Sequence, residues 1–278
     1  MAPARPPTEL EARRAALAAE LGEEISLDGL TRDFHIFQRV RGHRHSTDDL
    51  LTAWYAATKA PHPPQTLLDL GTGIGSVGLS LAWRFPEAQP TVVEVQAVSF
   101  RLLRENLWAN GLEARVRAIH GDLRQAVPPG ERFELVTGSP PYFDVANGIV
   151  PADSQKAAAR FELHGDVADY ARAAVAALAP GGRFVFCFPT DQRARAERAC
   201  ADAGLGILAS RDVVPRAGRS PLFSLFCCAH AAEAATPVRE PDYLVRDAAG
   251  AHTPEHLRAR ATFGFGESLE LEMKPKLH

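Results

Sequence analysis

DLGTGIGSVGL, residues 69–79, joins the apolar stretch TLLDL (66–70) to a segment with helical spacing. Gly71, Gly73 and Gly75 permit a tight strand-to-helix turn and let a ligand approach the main chain, because no Cβ stands in the way. A ligand-free corner would accept the same glycines, so the next strands decide. TVVEV (91–95) ends near Glu94, about 20 residues beyond the turn, where a carboxylate accepts hydrogen bonds from both hydroxyls of a ribose. HGDLR (120–124) sets a further acid, Asp122, at the end of a third strand. Ligands of open parallel sheets lie outside the carboxyl ends of the strands, so the three segments together favour a nucleoside cofactor.

Outward from this turn, strands alternate with helices: helix 75–85, strand 91–95, helix 97–110, strand 115–119, strand 133–137, helix 166–179, strand 183–188, helix 191–203, then strands near 207–214 and 222–228. The pattern predicts an α/β fold with a mostly parallel sheet covered on both faces. The short PRAGRSP connection (215–221) permits its last two strands to pair antiparallel. The proline cluster PHPP (61–64) marks the boundary of an N-terminal extension, residues 1–64. That extension has a helix to about Leu21, capped by Thr8 with Glu11, a short strand FHIFQRV (34–40), and a helix from Ser46 or Thr47. Residues 65–236 form the main domain, and 237–278 a polar tail that packs on it or is partly mobile.

The chain has 278 residues, 46% of them hydrophobic, and a formal net charge of −3. It can bury a large core, and any nucleic-acid binding must rest on a local patch. Cys187, Cys200, Cys227 and Cys228 form no CxxC pair, and three of them sit inside apolar runs; they read as core thiols of a reducing compartment. MAPARPPTEL (1–10) lacks the apolar stretch of a secretory signal, and no run reaches the ~20 apolar residues of a membrane span. The expectation is a soluble, cytoplasmic protein that binds no metal, since its clustered histidines share one loop without a second ligand group.

FELVTGSPPYFD (133–144) raises a separate question. Pro140 and Pro141 lack the N–H a strand ladder needs, and each biases its predecessor toward extended backbone. A stiff exit from a buried strand therefore presents Ser139, the Pro140 carbonyl, Tyr142 and Phe143 at the strand tip.

Taken in order, DLGTGIG, EVQ, GDL and SPPYF resemble the class I S-adenosyl-L-methionine (AdoMet)-dependent methyltransferases that carry a (D/N/S)PP(Y/F/W) loop; the likeness covers roughly residues 30–230. FHIFQ, GHRHSTDDLLTAW, GRSPLFSLF and YLVRDAAGAHTPEHL look most like the bacterial tRNA adenine-N6 methyltransferases acting next to the valine anticodon. The resemblance implies a Rossmann-like sheet of seven strands with the last antiparallel, and AdoMet across the strand ends. Asp69, Gly71 and Gly73 would hold its methionine portion, Glu94 the ribose, and Asp122 with Leu123 the adenine. The helix after Thr47 and Asp48 would cover the methionine end. Ser139 and the Pro140 carbonyl would accept from an exocyclic amino group and free its lone pair, while Tyr142 stacks on the base and Pro141 and Phe143 flank it. Relatives acting on adenine carry Asn or Asp at this place; Ser139 resembles the cytosine-N4 enzymes instead.

Arg39, Arg41 and Arg44, interleaved with Phe34 and Phe37, could grip RNA phosphates or form an ordinary solvated face. Arg160 could touch substrate or lie on a helix surface. The reading is thus a monomeric methyltransferase with tRNA as partner. Two alternatives stay open: a methyltransferase for cytosine N4, a protein glutamine or a small molecule, and a non-catalytic AdoMet-binding module.

Overall fold

The computed structural model describes residues 5–142, 155, 162–163 and 165–266; Phe143 and Arg160 lie outside them. In chain order the elements are α1 (Pro7–Leu21), β1 (Ile25–Gly29), β2 (His35–Arg39), α2 (Thr47–Lys59), β3 (Thr66–Leu70), α3 (Ser76–Arg84), β4 (Gln89–Glu94), α4 (Ala97–Ala109), β5 (Arg117–His120) and β6 (Phe133–Gly138). They continue with α5 (Val167–Ala177), β7 (Leu178–Pro189), α6 (Arg193–Ala203), β8 (Leu205–Val214), β9 (Phe223–His230), β10 (Val238–Arg239), β11 (Tyr243–Leu244) and α7 (Pro254–Ala261).

Strand β3 buries Leu67 and Leu68 on its two faces, as a central strand of a parallel sheet must when helices cover both sides. Leu67 packs with α2, α3 and the C-terminal Tyr243 and Phe263; Leu68 and Leu70 pack with α5, α6 and the Phe184–Phe186–Phe226 ring stack. The sheet runs β10-β8-β9-β7-β6-β3-β4-β5, with β11 also on β8. Strands β3 to β7 are mutually parallel, and β9 is antiparallel to both β7 and β8.

The expected seven strands are present as β3–β9, with the last antiparallel, but the sheet has nine. Val238–Arg239 and Tyr243–Leu244 add to β8 in parallel. They cover what would otherwise be an open edge, and at two residues each they are too short to show a period.

An antiparallel hairpin of β1 and β2 precedes the sheet and shares an apolar cluster with α1, α3 and α4. Two buried asparagines, Asn106 on α4 and Asn110 just past its end, take the place of a third strand. Asn110 Oδ1 accepts from the His35 N–H at 2.8 Å and its Nδ2 donates to the His35 carbonyl at 2.8 Å. Asn106 does the same for Phe37, accepting at 2.6 Å and donating at 3.2 Å, and also donates to the Ile74 carbonyl at 2.8 Å. Residues i and i+2 of a strand and i and i+4 of a helix are separated by about 6–7 Å alike, so the two side chains meet alternate residues of β2.

The Thr8–Glu11 capping box is not formed: α1 begins at Pro7 with Pro6 as its cap and no side-chain cap. Proline at the first helical position presets φ and has no N–H to satisfy. Helix α2 does carry such a box, between Ser46 and Asp49.

Candidate active site

The turn between β3 and α3 runs through Gly71 and Gly73, each at φ +61°. A Cβ on Gly71 would fall 1.9 Å from the Tyr170 hydroxyl, whereas one on Gly73 would meet nothing within 4 Å and would stand in open space. Behind the turn, Asp69 Oδ2 accepts from Thr72 Oγ1 at 2.5 Å and the Gly78 N–H at 3.0 Å, and Oδ1 accepts from Thr137 Oγ1 at 2.7 Å. Burial pushes the Asp69 carboxyl up to about 6, against these three donors. Its first task is therefore to tie the turn to β6 and α3.

Glu94 ends β4 with 3% exposure. Its Oε2 accepts from the Gly73 N–H at 2.8 Å and its Oε1 from the Gln96 N–H at 2.7 Å. Burial raises its pKa, and the backbone donors oppose that rise. Each oxygen keeps acceptor capacity for a hydroxyl.

These groups line one cleft. Its lining includes Asp69, Gly71, Gly73, Glu94 and Val95 together with Ser99, Gly121, Leu123, Ser139, Pro141 and Tyr170. Asp122 turns its carboxylate to the Arg124 guanidinium, at 2.9 and 3.0 Å from Nε, so Leu123 faces the cleft and the Asp122 carboxylate is engaged beside it. A buried carboxylate with free acceptor capacity, an open glycine turn and the apolar Leu123 on one cleft fit AdoMet.

Ser139 and Pro141 reach the cleft; Tyr142 is half-buried behind them. The Tyr142 hydroxyl lies 3.1 Å from Asp48 Oδ2, to which it donates, and 3.3 Å from Cys187 Sγ. Its ring meets Phe188 edge-on, 6.2 Å between centroids, and its carbonyl accepts from Gln192 Nε2 at 2.7 Å. The Cys187 thiol donates to Ser139 Oγ at 3.6 Å, and burial with the nearby Asp48 charge pushes it up to about 12, so it stays protonated. Burial and Asp49 raise the Asp48 carboxyl. Thr47 is the exposed first residue of α2.

The proposed phosphate grip looks different in three dimensions. Arg39 is buried and clasped by Glu23 at 2.6 and 2.7 Å; it also donates to Gln155 Oε1 at 3.2 Å. Arg44 pairs with Asp28 at 3.2 Å and donates to Ser26 Oγ at 2.9 Å. Arg41 alone of the three is exposed. Sequence reasoning missed Glu23 and Gln155, which lie far from their partners along the chain, and Tyr170 and Cys187, which looked like ordinary core positions. Among the described residues no group of three or more His, Cys, Asp or Glu could hold a metal, and no helix is long and apolar enough to cross a membrane.

Fold and cleft are those of the class I, Rossmann-like AdoMet-dependent methyltransferases. More narrowly, the chain belongs to the methyltransferase small-domain family, whose model matches residues 49–195. It is similar to a tRNA1(Val) (adenine(37)-N6)-methyltransferase of Histophilus somni, 30% identical over 197 residues, 68% of this chain and 78% of that protein. The corresponding Porphyromonas gingivalis protein is 31% identical over 166 residues, 58% of this chain and 64% of its own, so there the match spans less than two thirds of the relative. A release factor glutamine methyltransferase of Bordetella pertussis is 32% identical over 170 residues, 57% of this chain and 58% of its own. Among solved structures, a predicted O-methyltransferase from Agrobacterium tumefaciens superposes with a TM-score of 0.60 at 20% identity, covering 78% of this chain and 96% of that one. P. horikoshii TYW2 in complex with MeSAdo does so at 0.53 and 16%, covering 81% and 85%. These two share the fold.

Proposed function

We propose that the enzyme methylates the N6 amino group of an adenine in a tRNA, acting as a monomer in the cytoplasm. The observation that carries this reading is that Ser139 and Pro141 of the SPPY loop line the same cleft as Gly73 and Glu94. An amino-binding loop thus faces the cofactor cradle. The names of the Histophilus and Porphyromonas relatives support adenine N6 and tRNA.

Bound AdoMet supplies an electrophilic methyl on a sulfonium. The chain's part is to hold the cofactor and prepare the nucleophile. Gly71, Gly73 and the Asp69-braced turn would seat the methionine portion, Glu94 the ribose, and Leu123 the adenine face, with Thr47, Asp48 and α2 above. An exocyclic amino nitrogen is a weak nucleophile because its lone pair is delocalised into the ring. The Ser139 hydroxyl and the Pro140 carbonyl, accepting its two N–H bonds, hold it in a geometry that releases the lone pair. The Cys187 thiol, donating to Ser139 Oγ, fixes that hydroxyl's direction. Tyr142, anchored by Asp48, offers its remaining ring face to the base.

Incubating unmodified tRNA with the enzyme and AdoMet, then separating nucleosides by mass spectrometry, is expected to show N6-methyladenosine. Methyl label on cytosine N4, or on a glutamine of an added protein and not on tRNA, would overturn the assignment.

A further inference from the structure

We propose that RNA docks on the C-terminal edge of the sheet, where the loop joining β8 to β9 (215–222) and the turn after β11 (245–252) present Arg216, Arg219 and Arg246 to its phosphates. This rests on the tRNA reading above.

The position follows from topology. Strands β7 and β8 both run antiparallel to β9, so the end of β8 opens on the same side as Ser139 and the cleft. A chain of contacts links the two. Gln192 donates to the Tyr142 carbonyl at 2.7 Å, and the same short turn makes the next bond, its Thr190 N–H donating to the Leu222 carbonyl at 3.3 Å. Leu222 is 64% exposed and leads directly into the arginine loop.

The two arginine-bearing segments are fastened to each other. The Ala217 N–H donates to the Arg246 carbonyl at 2.9 Å. The Arg216 guanidinium donates to the Ala248 carbonyl at 2.7 Å, and that of Arg246 to the Gly250 carbonyl at 2.8 Å. A carbonyl orients a guanidinium without cancelling its charge, and leaves further N–H groups for phosphate oxygens.

Charge accounting separates this surface from the hairpin. Among the described residues no carboxylate forms a salt bridge with Arg216, Arg219 or Arg246. Of the nearby acids, Glu255 and Asp212 pair with other arginines, while Asp247, held by a backbone N–H, keeps its charge. Glu255 binds Arg211 at 2.7 Å. Asp212 is buried between Arg193 and Arg239. Asp247 accepts from the Ala251 N–H at 3.0 Å. The positive field is felt locally: burial and then the Arg246 and Arg260 charges hold His252 below the ordinary histidine range. By contrast, Arg39 of the hairpin and Arg44 of the loop after it pair with Glu23 and Asp28. Cations without a carboxylate salt bridge, at the same ends of the strands as the cleft, are what a polyanion displaces its counterions to reach.

The test is fluorescence anisotropy of labelled, unmodified tRNA across a salt series, with methyl transfer measured on the same preparations. The R216A/R219A/R246A variant is expected to bind tRNA about tenfold or more weakly, with a salt slope shallower by roughly 2–3, one counterion equivalent per lost contact. R216E/R219E keeps Arg246 itself and is expected to be weakened at least as much. Both should keep AdoMet affinity and thermal midpoint, with the loss appearing as a raised KM for tRNA. R132A, at the opposite end of β6, should bind as the parent does. If the parent methylates tRNA and both variants match its affinity and slope, this surface is not the docking site. If the parent neither binds nor methylates tRNA, the substrate reading fails and takes this surface with it.

Discussion

The Tyr142 hydroxyl donates to Asp48 Oδ2 across 3.1 Å and so ties the SPPY loop to the first turn of α2. The loop is thereby held from three sides, by α2, by Cys187 of β7 and by Gln192 beyond it. Anchor and base-stacking surface are separable roles for this one side chain. Tyr142→Phe removes the hydroxyl bonds and keeps the ring, and is expected to cost about 1 kcal/mol of stability with a modest loss of turnover. Tyr142→Ala removes both and should lower single-turnover methyl transfer by roughly 10–100-fold, the scale of one lost base stack. AdoMet affinity, read by titration calorimetry, should change little in either. Equal losses of AdoMet affinity and turnover would make the residue an anchor alone.

Glu94→Ala is expected to weaken AdoMet binding by about 1–3 kcal/mol, the scale of hydrogen bonds to a charged acceptor. Part of the loss comes through the Gly73 N–H, which Glu94 holds at 2.8 Å. Calorimetry should show AdoMet and its demethylated product binding to the parent and no NAD. Tight NAD binding would refute the cofactor assignment.

Ser139 tests the two-acceptor chemistry. Ser139→Ala should slow methyl transfer by about 1–3 kcal/mol of barrier if its hydrogen bond tightens in the transition state. Ser139→Asn offers a longer acceptor and should hold or raise activity on adenine. A fall with both changes would mean a pocket shaped around serine for another amino compound. An Ala variant as fast as the parent would remove residue 139 from the chemistry.

Asp69 predicts a pH dependence of stability. Burial holds its carboxyl up at about 6, above the ordinary aspartate value of about 4. Between these limits the native state keeps a proton that the unfolded chain releases. Stability is therefore full below about pH 4 and falls as pH rises to about 6, by roughly 2–3 kcal/mol from this group. Asp69→Asn cannot titrate and should flatten that part of the profile, whatever its effect on absolute stability. Denaturant midpoints of both proteins from pH 4 to 7 measure the difference; identical slopes would show that Asp69 titrates normally.

The glycine turn, the strand–helix alternation and the proline-stiffened loop were legible because each is local: backbone freedom, period and lost donors are written within a few residues. The hairpin's first strand, ISLDG (25–29), is not evident in sequence because it is short, follows two glutamates and carries Asp28 within it. Arg39 looked like a free cation because its partners Glu23 and Gln155 sit 16 and 116 positions away, and no local pattern encodes such a meeting. The pairing of β10 and β11 with β8 was hidden for the same reason. Asp122 was readable as an acid at a strand end, but its engagement by Arg124, two residues on, depends on a rotamer that sequence spacing does not set.

Asn106 Nδ2 is shared between the Phe37 carbonyl of the hairpin and the Ile74 carbonyl of the glycine turn. One amide group thus spans the accessory hairpin and the cofactor cradle, and neither carbonyl can move away without leaving a buried donor under-satisfied. Opening fluctuations of the two segments are then thermodynamically linked. Whatever quiets the turn also lowers the rate at which the Phe37 and His35 amides exchange their hydrogens with solvent, so a ligand bound at Gly73 is felt as slowed exchange in a strand outside the main sheet.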